Sequence, residues 1–264
     1  MKFMEIKRNE KGQFERVYDV DDYFFKNIDT EEKAYALGFW CADGNVQVTE
    51  NGGYVLSVTQ IEQDLDILEQ LKRALKYTNP NYTVTEPSGN RKRKYKMSIY
   101  NRRLVSDIMR QGCPINKSLT LVFPKSVPEH LLHHFIRGYF DGDGCIWCGK
   151  PHLFTSPTTG KTKFVFNTKF TFTGSLYFIP ELQDHLIRVL GLNKTKLNKT
   201  SSKPNTCTME YSGTKQCKKL YDYMYKNATI FGKRKKLKFE EIFCADREKL
   251  RLETRLTAEN PLES

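Results

Sequence analysis

The stretch Ala34-Tyr35-Ala36-Leu37-Gly38-Phe39-Trp40-Cys41-Ala42-Asp43-Gly44 is echoed by His134-Phe135-Ile136-Arg137-Gly138-Tyr139-Phe140-Asp141-Gly142-Asp143-Gly144, at an offset of 100 residues. An internal repeat of this kind governs how the rest of the chain is read. Each copy ends a largely apolar, helix-compatible run with a start signal ahead of it. In the first this is Asp29/Thr30 before Glu31-Glu32, and in the second the capping-box pattern Ser126-Val127-Pro128-Glu129. Each stops at a glycine, Gly44 or Gly144, suited to a left-handed C-cap.

The sequence that follows repeats as well. In the first copy, alternation predicts strands at Asn45–Thr49 and Tyr54–Gln60, a helix over Asp64–Lys76, strands at Tyr82–Glu86 and Lys94–Tyr100, and a helix over Arg103–Arg110. In the second, the strands fall at Cys145–Cys148 and Lys163–Thr173. A helix over Leu182–Leu190 follows, with Pro180 at its start, then strands at Thr195–Thr200 and Thr206–Tyr211 and a helix over Lys215–Tyr225. The expected fold class is α+β: two pseudo-twofold αββαββα repeats with antiparallel sheets. The expected divisions are an N-terminal arm at 1–28, a first repeat at 29–125, and a second repeat at 126–264 with a basic C-terminal segment.

Composition narrows the function classes. In 264 residues, 43 Lys and Arg against 31 Asp and Glu leave a net charge of +12, so a polyanion is the leading partner. An anionic membrane surface ranks second on charge, no run approaches the roughly 18 apolar residues of a membrane span, and no membrane partner is expected. Seven scattered cysteines, with no apolar leader at Met1–Glu5, point to a reducing interior, cytoplasmic in a bacterial or phage setting or organellar, rather than secretion.

Within the motif, Gly38 and Ala42 are four apart, as are Gly138 and Gly142, giving each helix a stripe of small residues as its interface. Paired in parallel through these stripes, the helices bring Asp43 and Asp143 together at two negative dipole ends. Like charges there are unfavourable unless divalent cations join them, and hard cations take such oxygen ligands together with phosphate and water. The implied chemistry is metal-assisted phosphodiester hydrolysis. A single Asp-Gly helix stop would be an ordinary turn; the matched pair is not readily coincidence.

At these residues the chain resembles the LAGLIDADG homing endonucleases in their single-chain, two-motif form. The aligned nonamers are Ala36–Gly44 and Ile136–Gly144, and the resemblance runs from about Thr30 to Phe243. It implies saddle-shaped sheets, and Asp43 and Asp143 as metal ligands, with a backbone ligand near Ala42 left unassigned. It also implies Lys117 and Lys233 as lysines near the active-site solvent and Gln60 as a polar residue ending the second strand. The earlier acidic motif position is Asp141 in the second copy but Cys41 in the first. The second copy reads Phe172-Thr173-Gly174-Ser175 where the first has Gln60, so the half-sites are unequal. The family's cofactor is Mg²⁺ (or Mn²⁺), with Ca²⁺ supporting binding without cleavage. Its activity is double-strand cleavage at a long, nearly asymmetric DNA site, leaving 3′ overhangs and serving intron homing, here by a monomer. An RNA maturase with host intron RNA as partner, and a non-catalytic DNA-binding regulator, are the alternative functions.

Alternation also predicts the face that meets DNA, because the apolar set must lie under the helices. Asn45, Gln47, Ser57 and Thr59 come out on the polar side of the first strands, and Lys94, Lys96 and Ser98 on that of the last. Phe164, Phe166, Phe170 and Phe172 point inward, leaving Asn167, Lys169, Thr171 and Thr173 outward. Such side chains suit base edges and phosphates, and Arg91-Lys92-Arg93-Lys94 adds a cluster for the backbone. Asp141-Gly-Asp143-Gly is not a calcium loop, since Cys145 and Ile146 stand where an oxygen ligand and the required glycine belong. Cys145 and Cys148, three apart on a strand, do not form a zinc site.

Overall fold

The computed structural model describes residues 17–149, 152–165, 167–200 and 204–244. Helix α1 (Glu31–Ala42) starts where Thr30 Oγ1 accepts from Lys33 N at 3.3 Å, and every residue from Ala34 to Ala42 is buried. A helix apolar on all sides must lie at the centre of its domain. Strands β1 (Gly44–Val48) and β2 (Tyr54–Ile61) lead through a 3₁₀ turn to α2 (Leu65–Ala74), then to β3 (Thr83–Thr85), β4 (Lys94–Tyr100) and α3 (Arg102–Arg110). Asn101 caps α3 by accepting from Leu104 N at 3.0 Å. The strands form an antiparallel sheet in the order β1-β2-β4-β3.

The second half opens with a 3₁₀ turn at Glu129–Leu131 and α4 (Leu132–Asp143). Strands β5 (Cys145–Cys148), β6 (His152–Thr155), β7 (Thr162–Val165) and β8 (Thr168–Ser175) precede α5 (Ile179–Leu190). After these come β9 (Leu197–Lys199), β10 (Thr206–Ser212), α6 (Thr214–Tyr225) and α7 (Lys233–Cys244). Its sheet, β5-β8-β10-β9, repeats the order of the first half, and β6-β7 stands apart as a two-stranded sheet. Pro180 lies at the start of α5, where its missing N–H costs no helix bond.

The two motif helices pack directly against each other. A Cβ on Gly38 would lie 2.0 Å from Phe135 O, and one on Gly138 would lie 2.1 Å from Tyr35 O. These contacts exchange under the 100-residue offset, so the helix pair obeys the pseudo-twofold axis at the backbone level. Only hydrogen at those positions allows so close an approach. Each sheet's inner face covers the pair with apolar side chains, among them Leu56, Val58, Met97 and Ile99 in the first half and Phe170, Phe172 and Met209 in the second. Burying each such side chain contributes roughly 1.5–3 kcal/mol.

Several local expectations are corrected. Gly44 and Gly144 are not left-handed caps: α1 ends on Asp43 at φ −90°, and Gly144 has φ −80° and ψ 155°. Their requirement for glycine is steric, since a Cβ would lie 2.3 Å from Trp40 Cδ1 in one copy and 2.0 Å from Phe140 Cδ2 in the other. Ser126 does not cap α4; its hydroxyl donates to Gln111 O at 2.9 Å, and the helix follows the turn that Pro128 begins. The long strand expected over Lys163–Thr173 is two strands, β7 and β8. Apolar alternation runs through both, but β7 pairs with β6, which the intervening turn makes available. From the expected arm, Phe24, Phe25 and Ile28 are buried in the first half's core, with Phe25 edge-on to Trp40 at 5.9 Å. The side chains of Phe164 and Phe166, the tail from Arg247 and the start of the arm lie outside the described residues.

Candidate active site and nucleic-acid interface

Packing of the small-residue stripes carries through to the C-terminal ends of α1 and α4. A Cβ on Gly142 would lie 2.4 Å from Ala42 Cβ and 3.2 Å from Asp43 N. The next residue on each helix is an aspartate, and Asp43 and Asp143 are both exposed. They line one cavity of about 340 Å³ together with Lys117, Tyr139 and Gly174. A helix end presents unpaired carbonyls and a partial negative charge, so two converging ends with two carboxylates form a focus of negative potential.

Gln60 lies on the inner face of β2, beside the end of α1. Its Nε2 donates to Asp43 Oδ2 at 2.7 Å, fixing that carboxylate. In the second half the registers place Gly174 at the matching position, since Gly44 pairs with Val58 and, two residues on, β8 offers glycine where β2 offers Gln60. The space is taken by Tyr139, whose hydroxyl lies 2.5 Å from where a Gly174 Cβ would be and donates to Thr173 O at 2.8 Å. Burial, with the Asp143 charge beside it, holds the Tyr139 phenol well above its ordinary pKa.

Two lysines stand behind the helix ends. Asn116 takes a left-handed conformation, φ +58°, that an asparagine tolerates, and turns Lys117 inward. The Lys117 ammonium is buried and donates to Ala42 O at 2.6 Å. Its counterpart is Lys235, not Lys233. Lys235 Nζ donates to Phe140 O at 2.6 Å, Asp141 O at 2.8 Å and Gly142 O at 3.1 Å. Lys233 is exposed at the first turn of α7, where its backbone N–H donates to Asp66 Oδ2 at 3.2 Å. Two residues on a helix lie about 200° apart, so only one of the pair faces α4. Burial pushes the Lys235 ammonium below the usual lysine range, against the pull of Asp141 and Asp43.

Asp141 is not at the cavity. It is buried and accepts from the Tyr35 hydroxyl at 2.9 Å, from Gly232 N at 2.6 Å and from the Tyr225 hydroxyl, tying α1, α6 and the approach to α7 together. Burial raises its pKa. At the matching place Cys41 is buried beside Cys113, and desolvation holds its thiol well above the ordinary range. Among the described residues no group of three or more His, Cys, Asp or Glu side chains forms a metal site.

The two halves are also bonded to each other. Arg234 forms a forked pair with Asp64 at 2.7 and 2.9 Å. Gln70 exchanges two bonds with the Phe231 backbone, at 2.8 and 3.2 Å. On the other side, Ser175 of β8 donates to Leu121 O, just after the turn carrying Lys117. Each lysine-bearing segment is therefore held by the opposite half.

On the outward sheet faces, Asn45, Gln47, Thr59, Lys94 and Lys96 are exposed in the first half, with Ser98 half-buried. Ser57 has the expected face but is only 3% exposed, because it lies on a central strand between Asn45 and Ser98. Arg91 and Arg93 are exposed on the β3–β4 loop, and Arg93 is forked onto Glu86 at 3.0 and 2.8 Å. In the second half Asn167 and Lys169 are exposed and Thr171 and Thr173 half-buried; Lys169 pairs with Glu210 at 3.0 Å.

A family model for the LAGLIDADG-like domain matches residues 30–111. The I-LtrWI LAGLIDADG homing endonuclease bound to target DNA shares the fold with a TM-score of 0.55 at 12% identity, over 85% of this chain and 91% of that one. The LAGLIDADG meganuclease I-AabMI bound to uncleaved DNA gives 0.52 at 16% identity, over 85% and 93%. I-SmaMI, bound to an uncleaved DNA target in the presence of calcium ions, gives 0.51 at 16%, over 84% and 96%. No curated protein sequence matches the chain.

Proposed function

From a chain that carries the two-motif LAGLIDADG fold, we propose a site-specific DNA endonuclease that cuts both strands of a duplex with divalent metal. The observation that carries this reading is the convergence of Asp43 and Asp143 on one cavity at two abutting helix ends. A binding protein gains nothing from two carboxylates set against each other there. In this reading residues 29–125 and 126–264 each serve one half-site, and a single chain supplies both motifs, so a monomer suffices.

The donor set fits Mg²⁺ or Mn²⁺: exposed carboxylate oxygens, with Cys41, which also lines the cavity, held as the neutral thiol by burial. Asp43 and Asp143 would hold the metal, which when bound supplies an activated water and a stabilised leaving oxygen. Gln60 fixes one carboxylate oxygen of Asp43. Lys117 and Lys235 satisfy the terminal carbonyls of α1 and α4, offset the two dipole ends, and place positive charge behind the aspartates, where the pentavalent phosphate gathers negative charge. Lys94, Lys96 and Lys169, with the Arg91 loop, would hold the duplex across both sheets.

The test is incubation of the protein with a randomised duplex library in Mg²⁺ and in Ca²⁺. A discrete set of duplexes cut on both strands in Mg²⁺, and the same set retained without cutting in Ca²⁺, is the expected result. Selective retention with no cutting in Mg²⁺ or Mn²⁺ would contradict it.

A further inference from the structure

The sheet registers bring two side-chain rows into correspondence. Gln47, Val55 and Tyr100 stand side by side across β1, β2 and β4; Trp147, Lys169 and Ser212 do so across β5, β8 and β10. Asn45 pairs with Ser57 as Cys145 pairs with Thr171, so Gln47 and Trp147, two residues further along their strands, occupy matching places. Directly paired residues share a face, and these rows lie on the outward faces.

Each row carries one large aromatic ring that the core does not take. Tyr100 is 75% exposed and Trp147 46% exposed, while their strand neighbours Ile99 and Ile146 are buried. The indole is also supported: a Cβ on Gly149 would lie 2.6 Å from Trp147 Cη2, so the ring rests where only glycine leaves room. A ring held this way loses little freedom on binding. Lys169 is the direct strand neighbour of Trp147, and Gln47 lies across Val55 in the row of Tyr100, polar and cationic side chains that suit a polyanion. On a major-groove floor the apolar feature that distinguishes one base from the others is the thymine C5-methyl.

We propose that Trp147 and Tyr100 are specificity-determining residues, each contacting a thymine methyl toward the outer part of its own half-site. This rests on the DNA-cleaving function proposed above and names two of the bases such a site must contain.

The experiment selects duplexes with the wild-type protein from a randomised library in Ca²⁺, then replaces each thymidine of a recovered duplex by deoxyuridine. The expected result is one fixed outer thymine per half-site whose replacement weakens wild-type binding about fourfold, the effect of one buried methyl. Trp147→Ala abolishes that sensitivity in one half-site only, and Tyr100→Ala in the other only, with melting temperatures unchanged because both side chains lie outside the core. Absence of fixed outer thymines, or sensitivity that survives in both variants, overturns the inference while leaving the DNA-binding reading intact. Recovery of no duplex by the wild type overturns that reading, and this inference with it.

Discussion

Lys235 stands to Gly142 as Lys117 stands to Ala42: each ammonium donates to the carbonyl of the residue just before a motif aspartate, at 3.1 and 2.6 Å. The two lysines reach these places by different routes, one from a left-handed turn and the other from the first turn of a helix. Lys235 has two further carbonyl partners, and Gln60 supports only the first-half aspartate. The halves are matched at their backbones and unequal in their side chains.

The lysine assignment separates two variants. Lys235→Met removes the charge behind α4 and is expected to lower cleavage by about 10²–10³-fold, the cost of losing one positioned electrostatic donor. Lys233→Met leaves the rate within a few-fold. Single-turnover cleavage of a recovered duplex, with binding checked in Ca²⁺, measures both.

Arg137 is fully buried and donates to Glu31 at 2.6 Å, to Ile230 O at 2.9 Å and to Met224 O at 2.7 Å. Arg137→Met leaves Glu31 and two carbonyls short of a partner and is expected to cost about 3–5 kcal/mol. Urea unfolding at neutral pH reads this loss. Adding Glu31→Gln, which removes the charge left with only the Thr229 and Ile230 N–H donors, should recover part of it.

Gly138→Ala would set a methyl 2.1 Å from the Tyr35 carbonyl. Two backbones must separate to admit it, and the expected destabilisation is about 3 kcal/mol. A thermal melt of this variant beside Gly160→Ala, at a loop glycine with open space around it but φ +65°, separates a lost helix approach from backbone strain, and the interface variant should fall further.

Acid should weaken the fold through His134. Burial and the neighbouring Arg137 charge lower the His134 pKa from 6.5 to about 4. Its Nδ1 accepts from Arg137 at 2.9 Å, which requires the neutral ring. A depressed folded-state pKa contributes stability that is present above pH 6.5 and lost as the pH falls toward 4. The melting temperature should therefore drop between pH 7 and pH 5, and His134→Asn should remove part of that drop, the rest coming from His133 and His185, whose pKa values burial also lowers.

Much of this architecture is legible in the sequence because the chain states it twice. The repeat fixes which helices pair, and Gly38 and Gly138 mark where the backbones touch. Strand alternation identifies Phe170 and Phe172 as core and Lys96 and Lys169 as surface. Gln60 and Gly174 already signal unequal half-sites. What the sequence does not carry is phase. Rhyming Asn116-Lys117 with Gly232-Lys233 misses that α7 begins at Lys233, so the inward position is two residues later; the cue was the helical spacing of Phe231, Lys235 and Phe239. Apolar alternation through Lys163–Thr173 cannot reveal that β7 pairs with an inserted strand. Gly44 and Gly144 read as flexible caps, whereas the aromatic rings four residues earlier impose the glycine.

In the proposed function, Asp43 and Asp143 together form one cutting site and are not needed to hold DNA. The most direct measurement uses a duplex recovered by the wild type, with cleavage followed in Mg²⁺ and affinity in Ca²⁺ for Asp43→Asn and for Asp143→Asn. Each substitution alone is expected to abolish double-strand cutting while affinity stays within a few-fold of wild type. Undiminished cutting by either variant would contradict it.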